Sequence, residues 1–311
     1  MTRVLISGVS GFTGVHLARY LKTMGLEIHG LDTVLPKTVD HGRVENLDLF
    51  YSGDVRDKKF IQEIIRTVRP DYLFHLAGLI GSDNFEELLD VNVQGTKNIL
   101  DAVQGLTTRV LSPGSAAEYG VVAVEKQPVN EEMTLRPVSF YGISKVCQTL
   151  ICRRYHFIHD CQVYIARSFN IIGPGAPARL VCSSLARQVA AINKKEQDPV
   201  IRIKNQDSIR DFVDIRDVVK AYWAIVSTGT VGEIYNVCCS KGTPIRDIVD
   251  AFRNMVNMKV DVKLDQGGTG KTAVPMSVGD NRKITTATSW RPEISLANSL
   301  GSMVDFYMSM S

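Results

Sequence analysis

Two side chains able to move a proton lie four residues apart in the segment FYGISK. Tyr141 and Lys145 would share one face of a helix, because residues four apart are neighbours on a helical surface. A phenol with a reference pKa of about 10 is a poor base at neutral pH, but a nearby ammonium favours the phenolate. The pair could then exchange a proton with a hydroxyl or carbonyl oxygen. Taken alone, the same spacing is also typical of an amphipathic surface helix.

A third reactive group lies upstream in the segment SPGSAAEYG, where a buried strand is expected to end. The Ser115 hydroxyl could hydrogen-bond the same substrate oxygen as Tyr141. The next two residues, Ala116 and Ala117, carry no carboxylate, and strand alternation predicts that Glu118 points to the opposite side. We therefore expect no carboxylate base beside Ser115.

Three glycines, spaced three residues apart, follow the first aliphatic run in LISGVSGFTG. Gly8 would permit a tight turn, Gly11 would let the backbone approach a pyrophosphate, and Gly14 would let a helix and a strand pack closely. The helix that begins at Phe12 and Thr13 would present free N–H groups to the phosphates. An ordinary glycine-rich turn has the same spacing, so the identification of a dinucleotide site depends on residues elsewhere in the chain.

Further residues suited to a dinucleotide follow the next strands. Asp32 ends LEIHGLD, where its carboxylate could accept hydrogen bonds from both ribose hydroxyls and would repel a 2′-phosphate. We therefore expect NAD(H) to be preferred, with NADP(H) as the alternative. The other residues expected to line the cofactor are Asp54, Val55, Leu76, Ala77 and Gly78.

The segments that carry these residues alternate between strand and helix patterns. Aliphatic runs of strand length occur at residues 4–6, 27–31, 72–76, 109–111 and 163–167. Between them, VHLARYLKTMG and FIQEIIRTVRP have apolar residues at helical spacing and end at Gly25 and Pro70. This order predicts an α/β fold of the Rossmann type, a doubly wound parallel sheet with helices on both faces.

The alternation breaks at NIIGPGAP, which is followed by a helical pattern at residues 180–193 and the polar segment NKKEQDP. Residues 232–239, GEIYNVCC, have the pattern of a buried strand and are expected to return to the first sheet. We therefore predict a smaller, discontinuous α/β substrate domain. Residues 1–172 and about 206–242 would form the dinucleotide-binding domain, and about 173–205 and 243–311 would bind the substrate.

The composition argues against several classes of protein. The 311 residues carry a formal net charge of +3, which is too small to indicate a nucleic-acid surface. No apolar run approaches the roughly 20 residues of a membrane span, and MTRVLISG runs into a strand without a secretion signal. The six cysteines form no CxxC pair and no metal-ligand spacing, which predicts buried thiols in a reducing compartment. We expect a cytoplasmic protein that binds no nucleic acid, membrane or metal.

The reactive residues appear along the chain in the order Gly8, Gly11, Gly14, Asp32, Ser115, Tyr141 and Lys145. Together they resemble the extended short-chain dehydrogenase/reductase family, also called the NAD-dependent epimerase/dehydratase family, whose members act on nucleotide-activated sugars. The resemblance covers nearly the whole chain. Its other motifs are VNVQGTKNIL, RSFNIIGPG, RDFVDIRDVV and YNVC, which contain Asn92, Asn170, Arg210 and Asp214.

The resemblance implies a catalytic role for three residues. Tyr141 would be the acid/base, Ser115 would bind the substrate and polarise its reacting oxygen, and Lys145 would act with Tyr141. The cofactor would be held by Gly8, Gly11, Phe12, Thr13, Gly14, Asp32, Asp54, Val55, Leu76, Ala77, Gly78, Asn92, Tyr141 and Lys145.

The resemblance also implies a set of residues facing the nucleotide sugar. Asn170 and Arg210 would do so, Arg210 by pairing with the diphosphate, with an ion pair to Asp211 or Asp214 as its alternative role. The family usually has an Arg-Pro-x-acid stretch in its C-terminal part, where this chain reads GKTAVP. Lys271 would therefore neutralise phosphate without the planar fork of an arginine.

The second half of the chain is most similar to the GDP-6-deoxy-4-keto-D-mannose reductases and to the GDP-mannose dehydratases. This implies a 4-ketoreductase that transfers hydride from NAD(P)H to C4 of a GDP-4-keto-6-deoxyhexose, as in GDP-D-rhamnose synthesis, with Tyr141 as proton donor. An NAD-dependent 4-epimerase would use the same residues and remains the alternative. A 4,6-dehydratase is disfavoured by Ala116 and Ala117, and a non-catalytic NAD-binding protein by the intact Ser115, Tyr141 and Lys145.

The family resemblance finally implies a homodimer. The helices after Asn92 and around Tyr141 would pair across a two-fold axis in a four-helix contact. The apolar residues Val146, Leu150 and Ile151 fit such a contact, although packing in the core explains them equally well.

Overall fold

The computed structural model describes residues 1–34, 46–265 and 274–310. Its strands, in chain order, are β1 (Arg3–Ser7), β2 (Glu27–Asp32), β3 (Leu49–Ser52), β4 (Tyr72–His75), β5 (Arg109–Ser115), β6 (Val163–Ser168), β7 (Asn170–Ile172), β8 (Val200–Ile203), β9 (Ile209–Asp214), β10 (Ile234–Val237), β11 (Gly242–Pro244), β12 (Asp261–Leu264) and β13 (Met276–Ser277). Its α-helices are α1 (Phe12–Thr23), α2 (Lys58–Val68), α3 (Phe85–Leu88), α4 (Gly95–Val103), α5 (Phe140–His159), α6 (Val181–Asn193), α7 (Ile215–Thr228), α8 (Ile245–Arg253), α9 (Arg282–Thr288) and α10 (Leu296–Ser309).

A seven-stranded sheet forms the centre of the larger lobe, in the order β10-β6-β5-β4-β1-β2-β3. All of its neighbouring strands are parallel. The strand order reverses between β1 and β4, and open α/β sheets bind their ligands at the carboxyl ends of strands at such a reversal. The predicted doubly wound sheet of the Rossmann type is confirmed, and residues 234–237 do return to it as β10.

Helices cover both faces of this sheet and bury two apolar cores against it. Helices α1, α7 and α9 pack on one face, and α2, α4 and α5 pack on the other. Helix α2 shows why these segments are helical, because its buried residues recur at helical spacing: Ile61, Ile64, Ile65 and Val68. The Asp57 side chain accepts two backbone N–H groups at the start of α2, and the helix ends before Pro70 as predicted.

A further core lies in the smaller lobe between α6, α8 and α10. Two small sheets adjoin it: β9 pairs with β7, β11 and β13, and β8 pairs with β12. The proposed domain boundaries stay a prediction, and the packing differs from them in two places. Strand β9 belongs to a small sheet instead of the central one, and Ile284 and Trp290 pack on the core of the larger lobe.

The remaining sequence expectations concern thiols, metals and membranes. The six cysteines are unpaired, and four of them are buried. Within the described ranges, no group of three or more His, Cys, Asp or Glu side chains could hold a metal ion. None of the described helices is long and apolar enough to cross a membrane.

Candidate active site

The glycine turn between β1 and α1 forms one wall of a cleft of about 410 Å³. Gly8 has a φ of +74°, and a Cβ there would lie 2.5 Å from the backbone nitrogen of Ala77. A Cβ at Gly14 would lie 2.3 Å from the carbonyl oxygen of Gly8. Only glycine fits these two positions, as the spacing predicts. The predicted residues of this turn all line the cleft: Gly8, Gly11, Phe12, Thr13 and Gly14.

A groove extends from the cleft along the carboxyl ends of β2 and β3. The Asp32 carboxylate is held there by the backbone N–H groups of Ser10 (3.0 Å) and Val34 (3.3 Å). The Asp54 carboxylate accepts the Arg56 guanidinium at 2.6 Å, and this hydrogen bond lowers the pKa of Asp54. The predicted cofactor residues that line this groove are Gly8, Gly11, Asp32, Asp54, Val55, Leu76, Ala77 and Gly78. The cleft and the groove thus form one elongated surface.

The three predicted catalytic residues lie together in the cleft. Ser115 is the last residue of β5, and the Ser139 side chain caps α5, which places Tyr141 in the first turn of that helix. The Ser115 side chain lines the same cleft as the Tyr141 phenol, and its presence opposes the rise in the Tyr141 pKa that burial causes. Exclusion of water raises the pKa of Tyr141 to about 12, so its side chain is a neutral phenol at physiological pH.

Lys145 lies in the same cleft and is only 7% exposed. Burial lowers the pKa of Lys145 to about 8, although the negative charge of Glu118 opposes that shift. Its ammonium donates to the side-chain oxygen of Gln148, whose amide donates to the Ser112 hydroxyl at 3.0 Å. Sequence reasoning missed Gln148, although a residue three positions after Lys145 is its neighbour on a helix.

The strand alternation used to orient Glu118 is wrong, because β5 ends at Ser115 and a 3₁₀ turn follows. Ser115 and Glu118 form a capping box, in which one Glu118 oxygen accepts the Ser115 backbone N–H at 2.8 Å. The other oxygen accepts the Thr149 hydroxyl at 3.0 Å and the Arg167 guanidinium at 2.8 Å. The Glu118 carboxylate is fully buried and is not among the described residues that line the cleft. It is therefore fixed beneath Ser115 and does not supply a base beside it.

Asn92 lines the cleft from a π-helical turn between α3 and α4. Its side-chain oxygen accepts the Leu79 backbone N–H at 2.7 Å. Its amide donates to the Leu79 carbonyl and to the Ser144 hydroxyl. Asn92 therefore ties the loop after β4 to helix α5.

The predicted substrate residues lie in different environments. Asn170 lines the cleft and donates to the Asp211 carbonyl at 3.0 Å. The Arg210 guanidinium donates to the carbonyls of Ile209, Val274 and Pro275 and forms neither of the expected ion pairs. Burial lowers the pKa of Arg210. The contact between Arg210 and a diphosphate stays a prediction, and Lys271 lies outside the described residues.

Four further polar residues line the cleft and were not predicted: His75, Ser168, Arg179 and Tyr222. The hydroxyls of Ser168 and Tyr222 are 2.8 Å apart. The Arg179 guanidinium donates to the Ile80 carbonyl at 3.1 Å. Their segments are far apart in the sequence, so no local spacing could have indicated these contacts.

Comparisons with known proteins show the family of this chain. The family model for GDP-mannose 4,6 dehydratase matches residues 5–303. A GDP-6-deoxy-D-mannose reductase from Pseudomonas aeruginosa is 30% identical, with 96% of this chain and 94% of the relative covered.

Two solved structures extend the comparison to the fold. The structure of RMD from Pseudomonas aeruginosa complexed with NADPH covers 100% of both chains at 27% identity, with a TM-score of 0.87. The UDP-glucose 4-epimerase of Thermus thermophilus, in complex with NAD, covers 100% of both chains at 25% identity, with a TM-score of 0.84. These matches confirm the resemblance, and the chain belongs to the GDP-mannose 4,6 dehydratase family within the extended short-chain dehydrogenases/reductases.

Proposed function

We propose that this protein is a nucleotide-sugar 4-ketoreductase that reduces C4 of a GDP-4-keto-6-deoxyhexose to a product of the GDP-D-rhamnose type. One observation carries the reaction class: Ser115, Tyr141 and Lys145 line one cleft, and that cleft continues into the groove that holds Asp32. A proton donor therefore lies at one end of a groove with the shape of a dinucleotide site. The similarity to a GDP-6-deoxy-D-mannose reductase supports the choice of substrate.

The side chains of the groove fit a nicotinamide dinucleotide. The glycine turn and the start of α1 offer backbone N–H groups for a diphosphate, and Asp32 offers a carboxylate for a ribose. A bound reduced nicotinamide supplies the hydride. The Asp32 carboxylate supports NADH over NADPH, since a 2′-phosphate would meet its negative charge. Because a similar structure contains NADPH, the activities with NADH and with NADPH must both be measured.

The protein's own residues handle the proton. Tyr141 transfers its phenolic proton to the C4 oxygen as the carbonyl is reduced, and the phenolate then regains a proton from water. Ser115 donates a hydrogen bond to the same oxygen and so stabilises the negative charge that develops on it. The Lys145 ammonium stabilises the phenolate between these two events.

An NAD-dependent 4-epimerase is the second candidate, and the similarity to a UDP-glucose 4-epimerase containing NAD supports it. An epimerase would use the same Ser115 and Tyr141 but would keep its cofactor through a full cycle. A 4,6-dehydratase is less well supported, because the Glu118 carboxylate is held by Ser115, Thr149 and Arg167 instead of facing the cleft.

We further propose a homodimer that forms through helix α5. Leu150, Phe157 and Ile158 are 57%, 63% and 63% exposed and lie at helical spacing on one side of α5. Pairing with a second copy would remove this apolar surface from water. Helix α4 contributes less, because its apolar residues Ile99 and Leu100 are fully buried within the protomer. A cytoplasmic location is part of the proposal, and the six unpaired cysteines support it.

The test is oxidation of NADH, and separately of NADPH, by the purified protein with freshly prepared GDP-4-keto-6-deoxy-D-mannose. Product identification by NMR should give GDP-D-rhamnose, with NADH the better cofactor. Tyr141→Phe should lower kcat by about 10²- to 10⁴-fold, because it removes the proton donor. Tyr20→Phe, on α1 outside the cleft, is the matched control and should leave kcat unchanged.

Two results would contradict this proposal. Conversion of UDP-sugars at C4 by protein that purifies with bound NAD, without net NADH oxidation, would identify an epimerase. Equal activity of Tyr141→Phe and the wild type would exclude Tyr141 as the proton donor.

A further inference from the structure

Arg179 lies in the loop between β7 and α6, on the side of the cleft formed by the smaller lobe. Its guanidinium donates to the carbonyl of Ile80, which lies in the loop after β4 of the central sheet. The contact therefore crosses the cleft from one lobe to the other. A Cβ at Gly81 would lie 3.5 Å from Nε and 3.8 Å from Cζ of Arg179, so the guanidinium rests against this glycine.

The charges around the cleft leave Arg179 without an acidic partner. No carboxylate is found among the described residues that line the cleft. The other cation there, Lys145, is buried and bonded to Gln148, and desolvation lowers the pKa of His75 to about 3, so His75 is neutral. Arg179 is exposed, and no salt bridge to it is found within the described parts of the chain.

Toward the described residues, the Arg179 side chain uses few of its hydrogen-bond donors. A guanidinium has five N–H donors in a planar fork, and the Ile80 carbonyl uses one of them. The adjoining residues Leu180, Val181 and Cys182 line the cleft as well, and Leu180 provides no side-chain cap for α6. The start of α6, with backbone N–H groups that lack intrahelical partners, therefore lines the same cleft as Arg179.

We propose that Arg179 binds the diphosphate of the nucleotide-sugar substrate, exchanging its hydrogen bond to Ile80 for a forked pair with phosphate oxygens. This inference rests on the proposed function and names a residue for one part of its substrate. Arg179 thereby closes the cleft mouth when no substrate is bound and holds the substrate when one is. Bidentate pairing of this kind favours arginine over lysine.

The test is calorimetric titration of GDP, and separately of guanosine, into the NADH-loaded protein. Arg179→Gln should weaken GDP binding by about 10- to 100-fold, the loss expected for a hydrogen bond to a charged group. Guanosine and NADH should bind as they do to the wild type, because neither is the proposed partner of Arg179. The affinity of Arg179→Lys for GDP should lie between those of the wild type and Arg179→Gln, because lysine keeps the positive charge but lacks the planar fork of donors. Arg187→Gln, at an exposed position of α6 outside the cleft lining, is the matched control and should bind GDP normally.

Steady-state kinetics give a second readout. Arg179→Gln should raise KM for the nucleotide sugar and leave kcat nearly unchanged, because the diphosphate does not react. If Arg179→Gln binds GDP as tightly as the wild type, the inference is wrong and the proposed function stands. If the wild type binds NADH but binds GDP no better than guanosine, the proposed nucleotide-sugar substrate is wrong, and the inference falls with it.

Discussion

Tyr141 and Lys145 are both shielded from water, and the shielding moves their pKa values in opposite directions. Burial raises the pKa of the phenol to about 12 and lowers the pKa of the ammonium to about 8. In each case the neutral form is favoured, because an ion loses more hydration than a neutral group does. The neutral phenol is the form that the proposed role of Tyr141 as proton donor requires.

These two values predict how the rate of reduction depends on pH. Tyr141 stays protonated up to about pH 12, so it should cause no fall in rate near neutrality. Lys145 loses its proton as the pH rises through about 8, and the positive charge that stabilises the Tyr141 phenolate is lost with it. We expect kcat/KM for NADH-dependent reduction to fall above about pH 8. Lys145→Met should be slower throughout and should lack this fall, and a fall that persists in Lys145→Met would contradict the assignment.

A second prediction concerns the buried ion pair beneath Ser115. Glu118 is 0% exposed and Arg167 1% exposed, and their side chains are 2.8 Å apart. Arg167→Met would leave the carboxylate unpaired in the interior and should lower the free energy of unfolding by about 3–5 kcal/mol. Urea unfolding would measure the loss. Adding Glu118→Gln to Arg167→Met should recover part of it, because the double variant buries no charge, and failure to recover any would contradict the role of the pair.

At the scale of elements, replacement by alanine should change the free energy of unfolding in opposite directions at two glycines that lie in helices. Gly14 faces backbone on the β1 side of α1, and a Cβ there would lie 2.6 Å from the Val9 Cα. Gly14→Ala should lower the free energy of unfolding by more than about 2 kcal/mol and weaken NADH binding, since backbone must move to admit the methyl group. The measurements are urea unfolding and fluorescence titration with NADH.

Gly301 in α10 is the matched control for this prediction. Among the described residues, no heavy atom beyond the neighbouring backbone of α10 lies within 4 Å of a Cβ built at this position, which is in the helix interior. Gly301→Ala should raise the free energy of unfolding by about 0.5–1 kcal/mol, because alanine loses less backbone entropy in a helix. Destabilisation by Gly301→Ala would show that helix propensity does not govern this position.

The sequence was informative about elements whose periodicity is strong and whose turns need particular residues. The glycine turn, the capped helix α2 and the return of residues 234–237 to the sheet all have such local signals. The alternation rule used for Glu118 does not apply, because β5 ends at Ser115, although the Glu118 carboxylate does lie outside the described cleft lining. The segment SAAE does carry the signature of a capping box, serine followed three residues later by glutamate, and that pattern would have placed the side chain correctly.

The rest of the site depends on contacts that no periodicity encodes. Arg179 meets Ile80, and Ser168 meets Tyr222, only because separate loops and elements converge at the cleft. Arg210 was expected from the family motif to face a diphosphate, but its environment depends on three carbonyls, two of which lie more than 60 residues away. Residue type and spacing therefore predict which groups take part in the chemistry better than they predict their neighbours.

At the scale of the whole molecule, the exposed face of α5 predicts the state of association. Phe157→Glu would place a charge in the proposed contact between copies and should yield a monomer, whereas the wild type should be a dimer. Sedimentation velocity would measure the association state of the variant and of the wild type. Met308→Glu, a change of similar kind at a 40% exposed position of α10, should remain a dimer. A monomeric wild type, or a dimeric Phe157→Glu, would contradict the proposed interface.

The packing of Ile284 and Trp290 on the larger lobe has a consequence for how the protein is made. These residues cover helix α7, where the Trp290 indole N–H donates to the Asp217 carbonyl at 3.0 Å. The smaller lobe in turn needs Leu300, Met303 and Val304 of α10. A nascent chain that ends before α9 therefore leaves open both the core beside α7 and the core of the smaller lobe. Folding of both lobes must finish after α10 has been synthesised, and until then the face of α7 that Ile284 and Trp290 cover is available to chaperones.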